Sequence, residues 1–304
     1  MNKPNLNLFV VGAAKSGTTS LYNYLNQHPD IFLPKVKEPN YYSSIDSEDP
    51  LVYSPPKKDV FYHNKIINDE NTYFSLFENS YDYEITGDCS PSYLWDKTAA
   101  KKIFADFPNA KIVIILRDPI MRTFSHYLMN LKNGVEKDPD FLSALKRDAK
   151  EFPKVWGDGK VFLYKELSMY YDQVKIYLEV FKKENIKVII YEEFFSDIEL
   201  GLSELFNFLK ISSTNNINFN EIHNKYSIPK NSFFRFLLKN KSKLTLLRTL
   251  VPRTTTQFLN KNVFYRESEK PKITEESRNY LKNIFAEDVR NLEKLLDLNL
   301  HKWL

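Results

Sequence analysis

Residues 9–19 read Phe9-Val10-Val11-Gly12-Ala13-Ala14-Lys15-Ser16-Gly17-Thr18-Thr19. Gly12 and Gly17 stand at the G-x-x-x-x-G spacing of a phosphate-binding loop. An apolar run leads in and a helical pattern leads out. The turn between them presents backbone N–H groups and the positive end of a helix dipole to an anion. In a Walker A loop a lysine follows the second glycine. Here that position is Thr18, and the lysine, Lys15, lies inside the loop instead. A loop that cradles a phosphate but carries its cation elsewhere points to transfer of something other than a γ-phosphoryl group.

The segments around this loop predict an α/β fold. Apolar, β-branched runs at Leu8–Val11, Lys111–Leu116 and Lys187–Tyr191 read as buried parallel strands, with shorter candidates at Ile31–Leu33 and Glu84–Thr86. Helical periodicity falls between them: at Thr18–Gln27, at Leu167–Phe181, and from Leu281 to Leu296 after a cap at Thr274. Strand and helix alternate, so a central parallel sheet flanked by helices is expected, in a P-loop-like three-layer fold. The polar, proline-containing segment 43–83 reads as an excursion from the sheet. A single domain is expected over residues 1–304.

A second cluster follows the strand Lys111–Leu116. It reads Arg117-Asp118-Pro119, then Arg122, Ser125, His126 and Tyr127. Pro119 suits the first turn of a helix and Asp118 suits its cap. Arg117 then emerges at the carboxyl end of a strand, where open α/β sheets bind ligands. Arginine forms two-pronged contacts with phosphate, and Ser125 is placed to add a hydroxyl to the same anion. An ion pair with a nearby carboxylate is the plainer role for Arg117. Arg122 is expected to pair on the helix surface and His126 to be a packed side chain.

Composition narrows the classes. Cys89 is the single cysteine among 304 residues, which excludes an intrachain disulfide and a cysteine-rich zinc site. There is no secretory apolar region near the N-terminus and no run of about 18 apolar residues, so a cytoplasmic protein without a spanning helix is expected. The net charge of +4 is uneven: residues 222–266 carry ten Lys or Arg and no Asp or Glu, which leaves the remainder at −6. This basic segment reads in three ways: a wall near the active site that holds an anionic acceptor, a peripheral contact with a membrane surface, or a solvated helix face. No recognised nucleic-acid-binding module surrounds it.

Taken together, these segments resemble the nucleotide site of sulfotransferases that use 3′-phosphoadenosine 5′-phosphosulfate (PAPS, with product PAP). The stretch Ala14-Lys15-Ser16-Gly17-Thr18-Thr19-Ser20-Leu21 resembles the loop that binds the 5′-phosphosulfate. Ile115-Leu116-Arg117-Asp118-Pro119 through Arg122 and Ser125-His126-Tyr127 resembles the 3′-phosphate site. Lys37-Glu38-Pro39-Asn40-Tyr41-Tyr42 and Gly87-Asp88-Cys89-Ser90-Pro91-Ser92-Tyr93 are similar to motifs of the glycan-modifying branch of that family. At two positions the chain departs from that branch: Asn40 stands where His is frequent, and Cys89 where the animal heparan-type enzymes often have Lys.

The resemblance implies a transferase that moves the sulfuryl group of PAPS directly, in line, onto an acceptor hydroxyl of a carbohydrate or glycolipid, with no metal required. Lys15, Ser16, Gly17, Thr18, Thr19 and Ser20 are then expected at the 5′ end of the nucleotide, and Arg117 and Ser125 at its 3′-phosphate. Lys15 is the expected catalytic cation. Glu38 is the expected base, with a surface pair to Lys35 or Lys37 as its alternative role, and Asp88 is the second candidate base. Two other readings stay open: a nucleotide kinase with an irregular P-loop, and a catalytically silent nucleotide-binding protein.

Overall fold

In the apolar runs, successive side chains point to opposite faces. Phe9 and Val11 join one buried cluster with Ile112, Ile114 and Leu116. Leu8 and Val10 join the other with Val113 and Ile115. Runs that are apolar at every position are therefore covered on both faces, as parallel sheets require. The computed structural model describes residues 3–43, 67–133, 135–151, 163–213, 217–219, 227–229, 265–267 and 271–304.

Five strands form one parallel sheet: β1 (Leu8–Gly12), β2 (Ile31–Phe32), β3 (Ile85–Cys89), β4 (Lys111–Leu116) and β5 (Ile186–Ile190), in the order β2-β3-β1-β4-β5. In register, Val10 lies beside Cys89 on one side and Val113 on the other. The chain fills one side of β1 with β2 and β3 and then crosses to β4 and β5. The reversal of strand order falls between β1 and β4, the crevice in which open α/β sheets bind ligands.

Helices α1 (Thr18–Leu25), α2 (Glu70–Ser75), α3 (Ala99–Asp106), α4 (Pro119–Asn133), α5 (Phe141–Glu151), α6 (Tyr170–Val180), α7 (Tyr191–Ser196), α8 (Ile198–Leu209) and α9 (Glu275–Leu296) surround the sheet. Leu21 and Leu25 of α1 and Leu202, Leu205 and Phe206 of α8 cover one face. Residues of α3, α4, α6 and α9, including Ile103, Phe124, Val174 and Phe285, cover the other. A short antiparallel pair, β6 (Ser227–Pro229) and β7 (Tyr265–Glu267), lies by α4.

Boundaries differ from expectation in two useful places. The β3 segment Ile-Thr-Gly-Asp-Cys extends past Thr86 because Gly87 and Asp88 pair with Leu8 and Phe9. Tyr191 opens α7 rather than closing β5. Thr274 caps α9, accepting from Ser277 N at 3.3 Å. Most of the segment 43–83 (residues 44–66) and most of the basic segment 222–266 lie outside the described residues.

Candidate active site

The first loop meets the β4–α4 loop at the switch point. Gly17 has φ of 87°, a left-handed conformation that a side chain resists. A Cβ there would fall 2.6 Å from Phe195 Cε2 and 3.0 Å from Tyr191 Cε2, so the missing side chain makes room for α7. Gly17 also precedes α1 and offers no side-chain cap, which leaves the first N–H groups of that helix free of one. Thr18 is buried, and Thr19 and Ser20 are half-buried in this first turn. Ser16 is fully buried.

Lys15, at φ 73°, reaches across to α4, where its Nζ lies 3.3 Å from Met129 Sδ. Burial pushes its ammonium down to about 8; Glu38 pulls the other way, while Arg122, Arg117 and Lys132 add to the depression. A cation held among other cations in a partly dry cleft is poised for an anion.

Arg117 donates from Nη1 to the carbonyl of Lys15 at 3.3 Å and lies over the Tyr191 ring at 4.5 Å from its centroid. Its Nε is buried and has no hydrogen-bond partner among the described residues. Tyr170 donates its hydroxyl to the Arg117 carbonyl at 3.0 Å, and Asp288 of α9 accepts from Tyr170 N at 2.7 Å and Tyr171 N at 3.2 Å. Asp118 caps α4 by accepting from Ile120 N at 2.8 Å. Ser125 is half-buried on α4, and its hydroxyl has no hydrogen-bond partner among the described residues. His126 packs its ring against Tyr164 at 5.0 Å between centroids.

Arg122 departs from the expected surface pair. It is fully buried, and its guanidinium donates to Ala14 O at 3.4 Å, Tyr164 O at 2.6 Å and Ser168 Oγ at 2.5 Å. Arg122 thus ties the first loop to α4 and to the 163–168 segment.

Asp88 also departs from expectation. It has no accessible surface: Tyr73 OH at 2.9 Å and Tyr93 OH at 2.7 Å donate to Oδ2, and Ser90 Oγ at 2.7 Å donates to Oδ1. Burial pushes its carboxyl up to about 6 against the pull of these hydrogen bonds. A carboxylate so enclosed does not meet an acceptor hydroxyl, so the expectation that Asp88 lines the cleft as a second base is corrected. Glu38 keeps 28% of its side chain exposed while pairing with Lys37 Nζ at 2.5 Å. Among the described residues, no group of three or more His, Cys, Asp or Glu side chains is arranged to hold a metal ion.

This arrangement of loop, lysine and arginine coincides with a family-wide match: the sulfotransferase domain model covers residues 6–295. The chain belongs to the sulfotransferase domain family. A sulfotransferase of known structure from Alicyclobacillus acidocaldarius superposes with a TM-score of 0.72 at 28% identity, covering 99% of each chain. The membrane-associated sulfotransferase kil1 of Dictyostelium discoideum is 29% identical over 126 residues, 41% of this chain and 23% of that protein. Mouse carbohydrate sulfotransferase 15 is 24% identical over 247 residues, 67% of this chain and 43% of that protein. The chain thus spans less than half the length of these two curated relatives. Among the described residues of this sulfotransferase-family chain, no helix is long and apolar enough to cross a membrane.

The sequence did not reveal the roles of Tyr191 and Tyr170. Tyr191 opens a short helix after a strand, and an aromatic residue there carries no signal for a cation 74 positions earlier. Of the two lysines expected to pair with Glu38, Lys37 does so, and its side chain is buried rather than on the surface.

Proposed function

We propose that this chain is a PAPS-dependent sulfotransferase that sulfates a hydroxyl of a carbohydrate or glycolipid by direct in-line transfer. The observation that carries the reading is the pairing of Lys15 and Arg117 across the switch point, with the Arg117 Nε buried and unpartnered among the described residues. A buried guanidinium N–H without an acceptor is costly, and a phosphate oxygen is a fitting acceptor. The glycine-framed turn, the uncapped start of α1 and two cations suit a nucleotide that carries anions at two ends.

When bound, PAPS supplies a sulfuryl group on a phosphate leaving group. Lys15 and the N–H groups at the start of α1 offset negative charge at the loop, and they need no reorganisation to do so. Ser16, Gly17, Thr18, Thr19 and Ser20 hold the 5′ end, and Arg117 with Ser125 holds the 3′-phosphate. Glu38 takes the proton of the acceptor hydroxyl. Mouse carbohydrate sulfotransferase 15 supports the sugar acceptor by its name. The basic segment 222–266 receives acceptors that are themselves anionic. A cytoplasmic location and a reaction without metal belong to the same reading.

The experiment is calorimetric titration of the full chain with PAP, ATP and adenosine 5′-phosphosulfate in parallel. Tight binding of PAP, with the other two much weaker, is expected, because only PAP presents phosphates at both the 3′ and 5′ positions of adenosine. Turnover of ATP with Mg²⁺, or indifference to the 3′-phosphate, would overturn the reading in favour of a kinase or a different nucleotide site.

A further inference from the structure

Lys37 is buried to 1% exposure, and its side chain has no accessible surface. Lysine is rarely enclosed unless paired. Its Nζ donates to Oε1 of Glu38 at 2.5 Å, while Oε2 of Glu38 has no partner among the described residues. One carboxylate oxygen is thus held and the other is offered.

The turn that carries the pair is fixed from β3 and the loop after it. Glu38 and Asn40 both adopt positive φ, at 62° and 57°, a region that non-glycine residues enter only when their surroundings hold them there. Asn40 N donates to Ser90 Oγ at 3.1 Å, and Ser92 Oγ donates to Asn40 Oδ1 at 2.6 Å. Asn40 Nδ2 donates to the carbonyl of Glu38 at 2.6 Å. Ser90 in turn donates to Asp88. One of the hydroxyls that enclose Asp88, that of Ser90, therefore also braces the turn that carries Glu38. The groups around the pair are Lys15 from the first loop, whose charge feels that of Glu38, and Asp88 and Cys89 from β3, which feel the charge of Lys37. Arg117, Arg122 and Lys132 add positive charge around Lys15.

We infer that Lys37 is a positioning residue for the proton-accepting step: its buried ammonium clamps Oε1 of Glu38 and leaves Oε2 for the acceptor hydroxyl. Lys37 touches Glu38 and not the reacting atoms. The inference rests on the reading of Glu38 as proton acceptor. It makes the buried cation, rather than a cation at position 89, the partner of the base.

The test uses the full chain and the variants Lys37→Met, Lys37→Gln, Lys37→Arg and Glu38→Gln. The Glu38 carboxyl is followed by ¹³C NMR in glutamate-labelled protein, with Glu38→Gln to assign its signal. Lys37→Met and Lys37→Gln are expected to raise the Glu38 midpoint by at least one pH unit, and Lys37→Arg to keep it near wild type. Transfer of ³⁵S from labelled PAPS to chondroitin and to desulfated heparin is read across pH. The acid limb of kcat/KM is expected to move up with the midpoint, and transfer at neutral pH to fall at least tenfold, while PAP binding holds. Should Lys37→Met fail to fold, Lys37→Gln, which keeps a donor without the charge, decides. An unmoved Glu38 midpoint in a folded, charge-free variant overturns the clamp. Full transfer activity in Glu38→Gln instead overturns the proton-acceptor reading, and the NMR midpoint still reports whether Lys37 holds the carboxylate.

Discussion

Arg117 donates a hydrogen bond from Nη1 to the backbone carbonyl of Lys15 at 3.3 Å. The two residues lie 102 positions apart, on loops that leave neighbouring strands, and this contact closes the crevice between β1 and β4. One end of the guanidinium braces the phosphate loop while its buried Nε points to no partner among the described residues. A single side chain thus shapes the loop with one N–H and keeps another open for an acceptor.

Replacing Arg117 with Lys keeps the charge and removes the planar fork. A hydrogen bond to a charged group contributes about 1.5–3 kcal/mol, so the Kd for PAP is expected to rise roughly 10- to 100-fold. Adenosine 5′-phosphosulfate, which lacks the 3′-phosphate, is expected to lose much less affinity, limited to the effect of unbracing the Lys15 carbonyl. Parallel calorimetric titrations with the two ligands check this.

Lys15→Ala is expected to lower kcat by about 10²–10³-fold, the usual effect of removing a donor aimed at developing negative charge. The circular dichroism spectrum and urea midpoint are expected to stay close to wild type, because Lys15 is half-buried and, among the described residues, its Nζ has only the Met129 sulfur as a hydrogen-bond partner.

The same lysine sets an alkaline limit. Its ammonium is pushed down to about 8 by burial, so it is charged below that pH and neutral above it. Affinity for PAP is therefore expected to fall as pH rises through about 8, and Lys15→Arg to remove that fall because arginine stays protonated. Titrations between about pH 6.5 and pH 9.5 give the profile.

Arg122→Met is expected to destabilise the fold by about 2–4 kcal/mol, because the Ala14 carbonyl and the Ser168 hydroxyl lose their donor in a buried setting. The urea midpoint measures it. A change below about 1 kcal/mol would mean that these contacts contribute little.

Asp88 links stability to pH. Its carboxyl rises on folding from 3.8 to about 6, so the protonated form favours the folded state. That stabilisation is complete below the unfolded value and is lost as pH rises through about 6. The gap between the two values corresponds to about 3 kcal/mol. Relative to Asp88→Asn, wild type is expected to lose up to that much stability between about pH 4 and pH 7, read from urea midpoints at each pH.

The apolar strands β1 and β4, the cap at Thr274 and the glycine-framed turn between β1 and α1 were legible in the sequence, because each is encoded by residues close together in the chain. The fates of Asp88 and Arg122 were not. Asp88 is enclosed by Tyr73, which arrives from α2, and Tyr93, which arrives from the loop after β3. Arg122 is buried because its acceptors come from positions 14, 164 and 168. In the sequence Arg122 reads as a helix-surface residue and Asp88 as a residue lining the cleft. Only the assembled layers supply the partners that let a charged group leave water. The Lys37–Glu38 contact lies between adjacent residues, yet its direction depends on two left-handed backbone positions that hydroxyl groups of Ser90 and Ser92 hold in place.

Asp288 stands 171 residues after Arg117, yet it anchors the start of α6, whose Tyr170 hydroxyl grips the Arg117 carbonyl. The carboxyl-terminal helix is therefore part of the foundation of the proposed nucleotide pocket. A gene fragment that stops before codon 275 would yield a protein with every pocket-lining residue present and the arginine no longer anchored from behind, so retention on PAP-agarose would report the integrity of the chain's far end.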